Sequence, residues 1–305
     1  MPEMMKCFVM HGIGKVGMMD KPVPRAGPGD AVVRTTAALV CTSDTHTVAG
    51  VIGDRRGLTL GHEAGGVIHE LGELAAASGL FRVGQRVAVS AITPCYACDN
   101  CQRGYPSQCG GMLGGWKFAN LKDGSFAEYF HVNNAAANLA PIPDGLTDEQ
   151  AAYCSDMLST GFVAAEHANI PIGGSVAVFS QGPVCLMATV GARLRGAGLV
   201  IGVESVPNRV ALALKYGCDV VVDTSSTDCI LPISFWQHST SLVPRIDCVV
   251  GVAESFPGDA RRILRRNSLP PVPEFRYRAL VYGTEGCRFD SCWVSLGQTM
   301  TEKVT

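Results

Sequence analysis

Long apolar runs are missing from this chain. No stretch of about eighteen apolar residues occurs in its 305 residues, so no membrane-spanning helix is expected. Blocks of charge are missing too. Charged residues make up 17 %, the net charge is −2, and there is neither a basic cluster nor an acidic tail. That argues against nucleic acid or an anionic membrane surface as a partner. The opening MPEMMKCFVMHGIGK has no apolar h-region and no small-residue cleavage site, so no secretory signal is expected and the default location is cytoplasmic. Internal repeats are absent. What the chain has in quantity is apolar side chain, 47 %, with 35 glycines and 13 cysteines. This is a globular composition long enough for two ordinary domains. Cysteines in a reducing compartment are metal ligands or buried thiols sooner than disulfides.

Two textures divide the sequence. Residues 5–155 carry short runs bounded by Gly, Pro and Asp: DAVVRTTAALV (30–40), GGVIHELG (65–72), QRVAVSAI (85–92) and FAEYFHVN (126–133). Their spacing suits an all-β barrel or sandwich with long loops. From residue 155 the pattern alternates. SDMLSTGFVAAEHANI (155–170) reads as helix, SVAVFS (175–180) as strand, PVCLMATVGARLR (183–195) as helix, LVIGVE (199–204) as strand, NRVALALKYG (208–217) as helix and CDVVVD (218–223) as strand. Strand and helix in alternation predict a doubly wound parallel sheet. After Asp223 the pattern weakens, with IDCVVGVAE (246–254) as a fourth strand and fainter signals in ARRILRR (260–266) and RALVYG (278–283). The expected division is therefore 1–157, 158–254 as a partial doubly wound sheet, and an atypical tail at 255–305.

Cys95, Cys98, Cys101 and Cys109 fall within PCYACDNCQRGYPSQC. Paired Cys-x-x-Cys spacing presents thiolates to a single ion. Four thiolates close a tetrahedral Zn²⁺ shell and leave no position for water or substrate, so this reads as a structural zinc. An iron–sulfur centre is the alternative. A second set is scattered through VCTSDTH (40–46), LGHEAGG (60–66) and SDMLSTG (155–161). Taken singly, Cys41 and His62 are more often core residues than ligands.

In this order, CTSDTH, GHEAGGVIHELG, the four-cysteine loop and the strand–turn–helix that follows resemble the zinc-dependent medium-chain alcohol dehydrogenases. GGWKFANLKDGSFAEYFHVN (114–133) and SDMLSTGF (155–162) resemble the secondary-alcohol, isopropanol-type subgroup. The resemblance implies a fold of class α/β plus β: a GroES-like β-barrel catalytic domain followed by a Rossmann-type domain. It implies two zinc ions per chain, one of them catalytic and held by Cys41, His62 and Asp156 with Glu63 as an exchangeable fourth ligand. Three protein ligands and an open position form the pattern of a Lewis-acid zinc that lowers the pKa of an alcohol. Ser43 and His46 match the family's proton relay, with the cofactor ribose between them. Ile52, Ala91 and Trp116 are implied to line a small apolar pocket for a short secondary alcohol or its ketone. The family habit is a homo-oligomer.

The implied cofactor loop is SQGPVC, residues 180–185, where the family has G-x-G-P-V-G. Gly182, Pro183 and Val184 are kept, while Ser180 and Cys185 stand where glycines make the tight turn and the close helix packing. These departures predict weakened dinucleotide binding. Glu204 ends the next strand, where an acidic side chain accepts from the adenosine ribose and repels a 2′-phosphate. The resemblance implies small and basic residues at this place in NADP-specific relatives, where this chain has Glu204, Ser205 and Val206, so NAD is expected over NADP; Arg209 completes the implied cofactor set. Two other readings accompany the enzyme: a non-catalytic zinc-binding relic, and a dehydrogenase of a polyol, aldehyde adduct or amino alcohol.

Overall fold

The computed structural model describes residues 3–111, 118–225, 248–252, 276–282 and 292–295. It divides into two compact units, Met1–Asp156 and Met157–Thr305. Among the described residues no helix is long and apolar enough to cross a membrane.

The first unit opens with an antiparallel hairpin, β1 (Met4–Gly12) and β2 (Lys15–Pro22). Alternation along β1 buries Met5, Cys7 and Val9 and exposes Met4, Lys6 and Phe8, the period-two pattern of a strand with one face covered. A five-stranded antiparallel sheet follows, in the order β6-β3-β4-β5-β7. Its strands are β3 (Ala31–Leu39), β4 (Glu63–Leu71), β5 (Arg86–Val89), β6 (Tyr129–Val132) and β7 (Leu139–Pro141). Val33, Ile68, Val87, Val89, Phe130 and Val132 form its core. Between β5 and β6 lie two short helical pieces, α3 (Asp99–Gln102) and a 3₁₀ turn (Pro106–Gln108). α2 (Glu73–Ala77), α4 (Ala135–Asn138) and α5 (Asp148–Ala152) are single-turn elements.

The expected closed barrel is not formed among the described residues. Among these residues β1 forms no ladder with the larger sheet; the isolated bridges Cys7–Ala127 and Val9–Thr59 join it to segments just outside β6 and β4. β3 pairs with β6 over only Ala31–Arg34, and its register with β4 shifts between Val32 and Val33 and again between Thr35 and Ala37. Irregularities of this kind bend a strand, and the β3–β4 ladder resumes after both of them.

The β3–β4 register positions the chemistry. Leu39 lies opposite Glu63, so Cys41, two residues beyond β3, and His62, one before β4, sit at the same end of the pair. Cys41 is the N-cap of α1 (Thr42–Val48). Gly61, at φ +87°, makes the turn into β4, and any side chain there would collide with the Phe126 ring.

The second unit is a six-stranded sheet of order β10-β9-β8-β11-β12-β13. Its strands are β8 (Ser175–Phe179), β9 (Leu199–Glu204), β10 (Val220–Asp223), β11 (Cys248–Val252), β12 (Arg276–Tyr282) and β13 (Cys292–Ser295). The first five are parallel, and β13 runs antiparallel to β12. The sheet therefore continues beyond the strands read from 175–254, into the segment expected to be atypical. ARRILRR lies outside the described residues. Order reverses between β8 and β11, and in open sheets the crevice at the carboxyl ends beside such a reversal binds ligand. Among the described residues the helices of this unit are α6 (Met157–His167), α7 (Pro183–Leu194) and α8 (Pro207–Lys215). α6 and α7 approach closely at Gly161, where an added Cβ would lie 2.5 Å from the Val184 carbonyl oxygen.

Candidate metal centres and cofactor loop

Cys41, His62, Glu63 and Asp156 come together although 115 positions separate the first from the last. One ligand atom from each lies within 4.8 Å of all the others. His62 Nε2 faces the group, 3.5 Å from Asp156 Oδ2 and 3.7 Å from Glu63 Oε1. Asp156 follows α5 and is tied to the sheet through its neighbour. The Ser155 hydroxyl donates to the Ala64 carbonyl at 3.0 Å, and the Ser155 carbonyl accepts from Ala91 N–H at 3.3 Å. Ser43 Oγ lies 3.4 Å from His62 Nε2. Ser43 and His46, three apart on α1, share one helix face. Ala91 is buried and Ile52 half-buried. Trp116 lies outside the described residues.

The electrostatics suit a cation. Glu63 is fully buried, and neither carboxylate oxygen has a hydrogen-bond partner. Burial, with the charge of Asp156 beside it, pushes its pKa up to about 7. Burial works to lower the His62 pKa, but hydrogen bonds to Asp156, Asp44 and Cys41 outweigh it and hold the ring well above its ordinary value. Acidic, thiol and imidazole groups packed this closely and this deeply suit a divalent cation, which would take the place of their protons.

Asp44 is the residue sequence reasoning missed. It is buried, its Oδ2 accepts from Cys41 N–H at 2.9 Å, and its Oδ1 accepts from Gly61 N–H at 3.3 Å. The same Oδ1 lies 3.4 Å from His62 Nδ1. One carboxylate thus fixes the backbone at one ligand and orients the ring of another, leaving Nε2 for a metal. Its signal in the sequence was its position three residues after Cys41, where a side chain reaches back to the N-cap.

The four cysteines converge as well, with their sulfurs within 4.8 Å of one another. Cys98 and Cys109 Sγ are 4.0 Å apart, close to the roughly 3.8 Å edge of a tetrahedron with Zn–S about 2.3 Å. Cys95 N–H donates to Cys109 Sγ at 3.2 Å and Cys98 N–H to Cys95 Sγ at 3.3 Å. Backbone hydrogen bonds from Cys101 and Gly110 pull the Cys98 thiol down to about 6, while burial and its neighbouring thiols push Cys101 up to about 12. Asparagines clasp the root of the loop. Asn133, Asn138 and Asn134 donate side-chain N–H to the carbonyls of Thr93, Pro94 and Cys95 at 3.0, 3.0 and 3.1 Å. No disulfide links the described cysteines.

A GroES-like domain family, described as alcohol dehydrogenase GroES-like domain, matches residues 27–144. A "Probable zinc-binding alcohol dehydrogenase" of Mycobacterium tuberculosis is 32 % identical over 276 residues, 88 % of this chain and 70 % of that one. The solved zinc-dependent alcohol dehydrogenase 2 of Streptococcus pneumonia superposes with a TM-score of 0.69 at 30 % identity, over 81 % of this chain and 69 % of that one. The chain belongs to the zinc-dependent medium-chain alcohol dehydrogenase family. Within it the sequence resembles the secondary-alcohol subgroup. The NADP-dependent isopropanol dehydrogenase of Thermoanaerobacter brockii is 50 % identical over 220 residues, 72 % of this chain and 62 % of that enzyme. The chain thus spans less than two thirds of that relative's length.

The candidate cofactor turn has a geometry that follows its sequence. Ser180 adopts φ +64°, the left-handed conformation that glycine supplies freely and that costs serine about 1 kcal/mol. Gly182 caps α7 at φ −70°, with nothing within 4 Å of where its Cβ would be, so the space in front of the helix is kept open. Pro183 starts the helix, followed by Val184. Cys185 is buried in the core of the unit. Glu204 is buried, and its oxygens accept from Gln181 N–H at 2.8 Å, Ser205 N–H at 2.7 Å and Val206 N–H at 3.0 Å. These backbone bonds overcome burial and lower its pKa. Arg209 Nη1 lies 3.8 Å from Glu204.

Proposed function

We propose that the chain transfers a hydride between a short secondary alcohol, or its ketone, and a nicotinamide dinucleotide at a zinc held by Cys41, His62 and Asp156, with Glu63 as the exchangeable ligand. The carrying observation is the convergence of these four side chains around a buried carboxylate that has no hydrogen-bond partner. A bound zinc supplies Lewis acidity that lowers the pKa of the alcohol. The chain's own groups do the rest. Asp44 holds His62 in the ligating tautomer. Ser43, beside His62 Nε2, receives the hydroxyl proton, and His46, on the same face of α1, passes it towards water. Ile52 and Ala91 narrow the pocket to small substrates. The four-cysteine loop holds a second, structural zinc.

The dinucleotide binds at the turn 180–184 and the start of α7, with Glu204 and Arg209 at the adenosine end. The buried charge of Glu204 favours NAD over a 2′-phosphorylated cofactor, although the Thermoanaerobacter relative is named for NADP. A carboxylate with three hydrogen bonds keeps capacity for the ribose hydroxyl. The test is NADH or NADPH formation from 2-propanol by the zinc-loaded chain, with Cys41→Ser as control. Turnover that survives the control refutes the metal assignment, and faster turnover with NADP refutes the Glu204 argument. Ser180 and Cys185 favour one rival, a zinc-binding relic. Folded protein that carries two zinc ions but neither binds a dinucleotide nor turns over 2-propanol, a polyol or an amino alcohol would favour it.

A further inference from the structure

Ser180 keeps a left-handed backbone that its side chain disfavours, and the residue after it is built to hold that backbone in place. Gln181 is fully buried. Its Nε2 donates to the Val178 carbonyl at 3.0 Å near the end of β8, and its Oε1 accepts from the Thr189 hydroxyl at 3.1 Å on α7. Its main-chain N–H donates to Glu204 Oε2 at 2.8 Å at the end of β9. Glu204 is itself fixed by the amides of Ser205 and Val206. On its other side, Ser180 N–H donates to the Val203 carbonyl at 2.8 Å. The turn is thus fastened to two strands and a helix on both flanks of the strained residue. Strained backbone persists only where its surroundings over-determine it.

We propose that Gln181 is a positioning residue for the dinucleotide turn: its buried amide and its bond to Glu204 hold Ser180 in the conformation that glycine would otherwise supply. The turn is then shaped before the cofactor arrives, and binding is spared the cost of ordering it. The inference rests on the cofactor reading above.

If Gln181 acts by restraining Ser180, its loss matters only while residue 180 needs restraint. The experiment is a double-mutant cycle on the full zinc-loaded chain, with Ser180→Gly, Gln181→Leu and both together, read by NADH and NADPH fluorescence titration. Gln181→Leu is expected to weaken the better-bound cofactor about tenfold with Ser180 present and less than about threefold in the S180G background. Thr189→Val, which removes a single hydroxyl, should show the same dependence with a smaller loss and serves if Gln181→Leu does not fold. Equal losses in both backgrounds, in a protein that binds cofactor, overturn this inference alone, because a merely structural role is additive. Wild-type protein that binds neither dinucleotide overturns the cofactor reading and this inference with it.

Discussion

Asp44 touches the backbone of one metal ligand and the ring of another, so its removal should be felt at the metal before it is felt in the fold. Asp44→Ala is expected to weaken zinc at the Cys41 centre by about ten- to a hundredfold, while zinc at the four cysteines is retained. Competition titration with a chromophoric chelator separates the two, and equal loss from both sites would refute the assignment. Lys122 makes a second prediction at this scale. Its Nζ donates to Asn133 Oδ1 at 3.0 Å and sits 5.1 Å from the Phe118 ring centroid. Burial pulls its pKa down to about 8 from 10.5, against the attraction of Asp30. Between those values the unfolded chain holds a proton that the folded chain does not, so stability rises with pH across the window, and below it the cost of the buried charge is constant. Relative to Lys122→Met, the wild type should gain about 2–3 kcal/mol between pH 7 and pH 10.5 in denaturant melts. A pH-independent difference would mean an ordinary lysine.

Elements read well from sequence where the signal was local. LVIGVE is β9 as expected, and SVAVF and PVCLMATVGARL carry the strand and helix around the cofactor turn. Cys41, His62, Glu63 and Asp156 are legible only through the family resemblance of the motifs that carry them, since singly Cys41 and His62 read as core residues. What stayed hidden depends on distant pairing. The register shifts in β3 are announced by no run of residues. The asparagine clasp depends on side chains of VNNAAANL meeting carbonyls some forty positions earlier. Asn138 shows the weight of that clasp, since its Nδ2 donates to Pro94 and also to Asn133. Asn138→Ala strands buried carbonyls and should destabilise the first unit by about 2–3 kcal/mol, with faster zinc release from the four cysteines. Unchanged melting would argue that water replaces the amide.

On the scale of the whole molecule, both ligand clusters lie within Met1–Asp156, and the Gly182 turn lies within Met157–Thr305. Ligands that bind only the native state stabilise the unit that holds them, by about 2.7 kcal/mol at a hundred times Kd. Hydrogen exchange on the intact protein should therefore respond in two separable patterns. Chelation is expected to speed exchange in peptides from residues 31–111 and leave those from 175–223 unchanged, while a bound dinucleotide slows the latter. A single uniform response to both would contradict this division.

The pairing of Leu39 with Glu63 ties metal binding to how the chain folded. A slip of one residue between β3 and β4 turns each side chain to the opposite face and separates Cys41 from His62. Misregistered chains could then be as compact as native ones and still fail to take up zinc at this centre. On the proposed assignment, metal held at this centre, apart from any at the four cysteines, thereby counts correctly assembled molecules.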